Sequence, residues 1–154
     1  MLQTWMVTGS SRGLGRQICL AALRAGHAVA ATARTADHVA DLRDSFGDRV
    51  LPLSLDVTDP AAVHEALQGV QDRFGGVDVV VNNAGQADFG AVEDVLLDSL
   101  TAQVDSNFWG VVHVTRAALP LLRTQGSGLL IQISSLAPGW APPVSPSTRR
   151  RRRP

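Results

Sequence analysis

Apolar and polar positions alternate between two patterns along the chain. Short apolar runs closed by turn residues recur at Leu2–Val7, His27–Ala33, Val77–Val81 and Leu129–Ile133, and Arg49–Leu55 alternates into a further strand. Such runs suit strands buried in a parallel sheet. Between them, apolar residues return every three or four positions, which is helical spacing. Gly13–Ala25 carries Leu14, Ile18, Ala21, Ala22 and Ala25 on one face and stops at Gly26, and Thr35–Phe46 stops at Gly47. Asp59-Pro60 opens a third helix, with Asp as N-cap and Pro at the first helical position. That helix carries Val63, Leu67, Val70 and Phe74 and ends at Gly75-Gly76. Val92–Leu100 begins helical, and a long helix follows from Thr101 to Arg123. Strand and helix therefore alternate, which calls for parallel strands joined by right-handed crossovers. The pattern predicts an α/β fold, an open doubly wound parallel sheet of the Rossmann type.

Composition narrows the setting. The 154 residues carry no net charge, so most of the chain shows no bias toward nucleic acid or anionic membrane. No apolar run approaches the roughly 20 residues that cross a bilayer, and no leader is expected before a glycine motif that starts within the first strand's turn. The one cysteine, Cys19, excludes an internal disulfide and suits a reducing compartment. It sits among apolar neighbours and reads as core filler. A cytoplasmic protein is expected. Tyr is absent, and all 14 basic residues are Arg, so Lys is absent too.

The chemistry begins after the first strand, at Thr8-Gly9-Ser10-Ser11-Arg12-Gly13-Leu14-Gly15. A strand, a glycine-rich turn and a helix start bring unpaired backbone N–H groups and the positive end of a helix dipole together, where a pyrophosphate binds well. Glycines permit the tight turn and a close approach of backbone to ligand.

The spacing T-G-x-x-x-G-x-G resembles that of the short-chain dehydrogenase/reductase family. Asp56-Val57, Asn82-Asn83-Ala84-Gly85, Asn107 and Ser134-Ser135 follow in the family's order, so the resemblance runs over about residues 2–140. It implies a strand order of 3-2-1-4-5. It also implies that Gly9, Ser10, Ser11, Arg12, Gly13, Leu14 and Gly15 hold the pyrophosphate, with Ser10, Ser11 and Leu14 as donors. Asp56 would hold the adenine amino group and Val57 pack on the ring; a plain turn residue is the alternative for Asp56. Asn83, Ala84 and Gly85 would steady the sheet and line the nicotinamide ribose. An acid after the second strand binds the ribose hydroxyl of NAD, whereas an Arg there accommodates the 2′-phosphate of NADP. Arg34 stands at that place, with Arg12 nearby, so NADP(H) is expected in preference to NAD(H). The alternative leaves both arginines as solvated surface charges.

The resemblance implies carbonyl reduction or alcohol oxidation of a small substrate by hydride transfer. In the family a Tyr is the general acid/base, a Lys four residues later lowers its pKa, a Ser polarises the substrate oxygen, and an Asn anchors a water beside the Lys. Asn107 and Ser135 match the Asn and the Ser, with Ser134 as the alternative to Ser135. His113 and Trp109 match no family role and read as packing or surface. The Tyr belongs where Ser147 and Thr148 stand, and a Thr hydroxyl is too weak an acid to replace it. Losing the general acid alone costs about 10²–10⁴-fold, so the chain is expected to be inactive as written.

From Pro138 the composition turns to Pro, Ser and Arg, ending in Arg149–Arg153. Such a segment buries too little apolar surface to order itself, which divides the chain into an incomplete NADP-binding domain (1–140) and a disordered tail (141–154). Codons for Ala-Val-Tyr read one base late give Pro-Ser-Thr, the tripeptide at 146–148. A frameshift inside a longer, truncated family member accounts for the tail; a true basic tail that binds nucleic acid or acidic partners is the rival. Two further functions stay open, a non-catalytic NADP(H)-binding module and an arginine-tailed interaction protein. An exposed fifth strand and long helix would invite self-association or aggregation.

Overall fold

The computed structural model describes residues 2–88 and 90–135, so the expected tail lies outside the described residues. Among the described residues five strands and five α-helices alternate, except that the last two helices stand together before the final strand. They are β1 (Thr4–Val7), α1 (Gly13–Arg24), β2 (Ala28–Ala33), α2 (Asp37–Phe46), β3 (Val50–Ser54), α3 (Pro60–Phe74), β4 (Val79–Asn82), α4 (Leu97–Val104), α5 (Gly110–Gln125) and β5 (Leu129–Gln132). The sheet order is β3-β2-β1-β4-β5, and every neighbouring pair is parallel. This is the doubly wound Rossmann-type sheet with the order that the resemblance implied.

Residues alternate to opposite faces along each strand, and both faces are buried. On one face, Met6, Ala30 and Val80 pack against Val63, Leu67 and Val70 of α3 and Val114, Ala118 and Leu122 of α5. On the other, Val7, Val29, Ala31 and Val81 pack against Cys19 and Leu23 of α1 and Val39 and Leu42 of α2. Burial pushes the Cys19 thiol pKa up and keeps it protonated, as suits core filler. Asp59 caps α3 as its sequence suggests, accepting from the Ala61 N–H at 2.8 Å.

Several element ends shift by one or two residues, and three departures from the sequence pattern stand out. Val77 is buried but outside β4, because its backbone pairs with a side chain: the Gln125 amide donates to the Val77 carbonyl (2.9 Å) and accepts from its N–H (3.2 Å). The helical start expected at Val92 does not form. Val92 and Leu96 are 86% and 75% exposed, so no core partner rewards a helix there. The long helix is interrupted at Asp105–Trp109 by a π-helical stretch that joins α4 to α5. Directly behind it, Gly110 lies so close to Val57 that a Cβ would stand 2.6 Å from Val57 Cγ2.

Candidate functional site

Because all five strands run the same way, their carboxyl ends and the loops that follow share one edge of the sheet, where ligands bind in such folds. The loop after β1 is braced from within. The Thr8 hydroxyl donates to the Val81 carbonyl (3.2 Å) and accepts from the N–H groups of Asn83 and Ala84, both at 2.9 Å. The Asn83 amide donates to the carbonyls of Thr8 (2.9 Å) and Gly9 (3.1 Å). The loops after β1 and β4 are thereby one unit. Gly9 and Gly15 are the residues that permit it. A Cβ on Gly9 would stand 2.8 Å from the Ala84 Cα, and one on Gly15 would meet the Asn83 amide and, at 2.5 Å, the Gly9 carbonyl. Gly13 serves differently: its φ is +58°, and a Cβ there would meet nothing.

These loops enclose a cleft of about 590 Å³. Gly9, Ser11, Arg12 and Gly13 line it from the glycine turn and the start of α1; Arg34 lines it from the end of β2. Asp56 and Val57 line it after β3, and Asn83, Ala84 and Gly85 after β4. The first N–H groups of α1 have no intrahelical acceptor, so the cleft has donors suited to an anion beside two guanidinium groups. The Asp56 carboxylate accepts from the Thr58 N–H (2.9 Å) and hydroxyl (2.7 Å) through one oxygen, Oδ1. The Thr58 N–H first, then its hydroxyl and the Arg34 charge, hold this carboxyl below the usual carboxylate range. Asp56 is thus both an Asx-turn residue and a wall of the cleft.

Five of the expected site residues, and Ser134 as the alternative to Ser135, lie elsewhere. Ser10 is fully buried; its N–H donates to Thr32 (2.8 Å) and its hydroxyl to the Val7 carbonyl (2.7 Å), so neither donor reaches the cleft. In this structure both donors brace the turn. Leu14 is 55% exposed at the helix start, outside the cleft lining, and Gly15 sits behind the turn against Asn83. Asn107, in the π-helical stretch, clasps the loop after β4: its amide donates to the Gln86 carbonyl (2.7 Å) and accepts from the Gln86 N–H (2.9 Å). Ser134 and Ser135 are exposed beyond the end of β5, and neither lines the cleft. Where the family's Tyr and Lys belong lies outside the described residues.

Sequence reasoning missed the far wall of the cleft, formed by Gln86, Ala102, Asp105 and Ser106. Helical periodicity places Asp105 and Ser106 on a polar face but does not say that this face looks into a cleft. Thr58 was detectable, since D-x-T is an Asx-turn spacing. Among the described residues, no cluster of three His, Cys, Asp or Glu side chains could hold a metal, and no helix is long and apolar enough to cross a membrane.

Comparison with known proteins places this geometry in a group. The family model for short chain dehydrogenases matches residues 3–145. Oxidoreductase BOA17 of Botryotinia fuckeliana is 50% identical over 137 residues, covering 88% of this chain and 50% of the relative. The NADP-dependent 3-hydroxy acid dehydrogenase YdfG of Escherichia coli O6:H1 is 33% identical over 136 residues, covering 88% of this chain and 55% of the relative. The crystal structure of a short-chain dehydrogenase from Streptomyces avermitilis superposes with a TM-score of 0.83 at 41% identity, covering 88% of this chain and 50% of that one. The chain spans about half the length of the curated relatives it matches.

Proposed function

The chain belongs to the short-chain dehydrogenase/reductase family, and on that premise we propose that residues 1–140 are the cofactor-binding part of an oxidoreductase that takes NADP(H) in preference to NAD(H). The observation that carries this is the pairing of Arg12 and Arg34 in one cleft with the glycine turn. The residues fit the dinucleotide: Gly13 puts no side chain into the open space at the mouth of the turn, and the start of α1 offers its free N–H groups. Ser11 and Arg12 would hold the pyrophosphate and Arg34 the 2′-phosphate. Asp56 would accept from the adenine amino group through Oδ2, with Val57 against the ring, and Asn83, Ala84 and Gly85 would line the nicotinamide ribose. Bound, NADP(H) supplies the hydride that reduces a carbonyl or is regained from an alcohol. The test is calorimetric. The chain should bind NADP⁺ at least about tenfold more tightly than NAD⁺, one good charged contact in magnitude, and Arg34→Asp should reverse the order. Equal affinities, or no change in Arg34→Asp, would remove the reading.

Turnover is a separate matter. Ser135 is the family's substrate-polarising Ser by position, and Asn107 acts through the loop at Gln86. With neither Tyr nor Lys in its sequence, the chain lacks the proton donor that the family uses and is inactive as written. The family match ends at Ser145, immediately before Pro146-Ser147-Thr148 and the five arginines. We read residues 141–154 as a tail whose sequence is frameshifted from Pro146 onward. Resequencing the coding DNA past Ser135 checks this, and a one-base correction that restores Tyr and a Lys four residues later is the expected result. A confirmed frame would turn attention to the non-catalytic binding module.

Self-association is the partner reading that the surface supports. Leu97, Leu100, Val104 and Phe108 recur at helical spacing with 39–78% exposure along α4 and the π-helical stretch. Leu129 of the edge strand β5 is also half exposed. Light scattering should find dimers or larger species, and Val104→Glu should shift them toward monomer. The buried, protonated Cys19 suits a cytoplasmic location.

A further inference from the structure

A second concavity of about 470 Å³ lies on the other side of Val57 from the cofactor cleft, between the N-terminal turn of α3 and the start of α5. Its walls are Pro60, His64, Trp109, Val112, His113 and Arg116. The lining contains an indole, two imidazoles and a guanidinium, and no carboxylate. The indole of Trp109 stacks with His113, with ring centroids 6.4 Å apart and planes 24° from parallel. Nδ1 of His113 lies 3.1 Å from the Val57 carbonyl, which only accepts, so Nδ1 carries a proton and the ring is fixed in place. Arg116 takes part in none of the three ion pairs found among the described residues. The acid at the start of α3, Asp59, caps that helix by accepting from the Ala61 N–H and does not line the groove. A cation with no ion-pair partner among the described residues, next to a flat aromatic wall, suits a planar ring that carries an anion.

We propose that this groove is a second ligand site, distinct from the cofactor cleft, that binds an aromatic carboxylate. The ring lies against the Trp109 indole and the floor at Val112, and the carboxylate is held by the Arg116 guanidinium with His64 at the rim. Guanidinium and carboxylate make paired, charge-assisted bonds, while the ring removes apolar surface from water. The groove is separate from the cleft and is linked to it through Val57, which lines the cleft and whose carbonyl is held by His113 of the groove wall.

Benzoate is the probe, followed by ligand-observed NMR on the whole chain, with benzamide (same ring, no charge) and acetate (same charge, no ring) as controls. Saturable benzoate binding at millimolar concentration or below is expected, with both controls at least about tenfold weaker. Arg116→Gln, at an exposed position, should weaken benzoate about tenfold or more while leaving the far-UV spectrum unchanged. Excess NADP⁺ should not displace benzoate. Three results would each overturn the proposal: benzamide binding as well as benzoate, full binding in Arg116→Gln, or complete displacement by NADP⁺, which would put the anion at Arg12 and Arg34 instead. Absence of saturable binding would overturn it as well.

Discussion

Replacing Thr8 by Val tests whether the loops after β1 and β4 are joined by one hydroxyl. Thr8 is 1% exposed, and Val has nearly its shape. The oxygen that Val lacks accepts two backbone N–H groups, from Asn83 and Ala84, each at 2.9 Å. The Val81 carbonyl is not orphaned by the change, because it also accepts the Thr8 N–H at 3.0 Å. Two donors are therefore left without a partner. Each costs about 1–3 kcal/mol when buried. Both residues are only partly buried, which favours the lower half of the range and gives about 2–4 kcal/mol for the pair. Against the 5–15 kcal/mol typical of a folded domain, such a loss is large. Urea unfolding followed by circular dichroism measures it, and the thermal midpoint should fall by about 5–15 °C. Thr8→Ser keeps the oxygen and loses one methyl, at about 1 kcal/mol. If Thr8→Val costs no more than Thr8→Ser, the hydroxyl does not join the loops and this account of the cleft is wrong.

Three other outcomes follow from the same structure. Gly15→Ala forces a Cβ against the Asn83 amide and the Gly9 carbonyl; it should destabilise the fold by about 1–3 kcal/mol and weaken NADP⁺ binding, read by thermal unfolding and calorimetry. Trp5 Nε1 is buried and finds no acceptor among the described residues. Trp5→Phe should therefore change stability by less than about 1 kcal/mol, the lost ring area being offset by the relieved N–H; a loss above about 2.5 kcal/mol would mean the indole has a partner after all. Asp56 has a folded pKa below its unfolded value, so its stabilisation is complete above the unfolded pKa of about 4 and disappears as pH falls through the folded one. Wild type should lose stability relative to Asp56→Asn between about pH 5 and pH 3, and parallel curves would deny the Thr58 contact.

The fold was legible because each of its elements is decided locally or by burial on both faces. The strands β1, β2 and β4 are apolar runs wherever the sheet is covered twice, and Gly26, Gly47 and Gly75 stop the helices where the pattern stops. Errors arose where a long-range partner decided the matter. Val77 reads as strand, but a Gln125 side chain 48 positions away takes both its backbone groups. Val92–Leu100 has helical spacing throughout, yet the helix forms only from Leu97 on, and nothing in the residues from Val92 to Leu96 marks the late start. The π-helical stretch has no signature in the residues from Asp105 to Trp109 themselves.

The site divides along the same line. Arg12, Arg34 and Asp56 were readable because a charge at the carboxyl end of a strand has few places to go except the cleft. A hydroxyl in a glycine turn looks free in the sequence, and only the approach of Thr32 and the Val7 carbonyl shows both Ser10 donors used. Asn107 makes the sharper case. Its expected task depended on a Lys that the sequence does not contain, and the structure gives it another, holding the backbone of Gln86 at both ends of one amide. That clasp needs neither Lys nor Tyr. The cleft wall at Gln86 is thus fixed by groups already present before residue 110, whereas proton transfer depends on residues that would follow β5. The shape of the cleft does not depend on an acid or a base, for a physical reason: the backbone N–H and carbonyl groups that form its walls are held by the side chains of Thr8, Asn83 and Asn107, and none of these is an acid or a base.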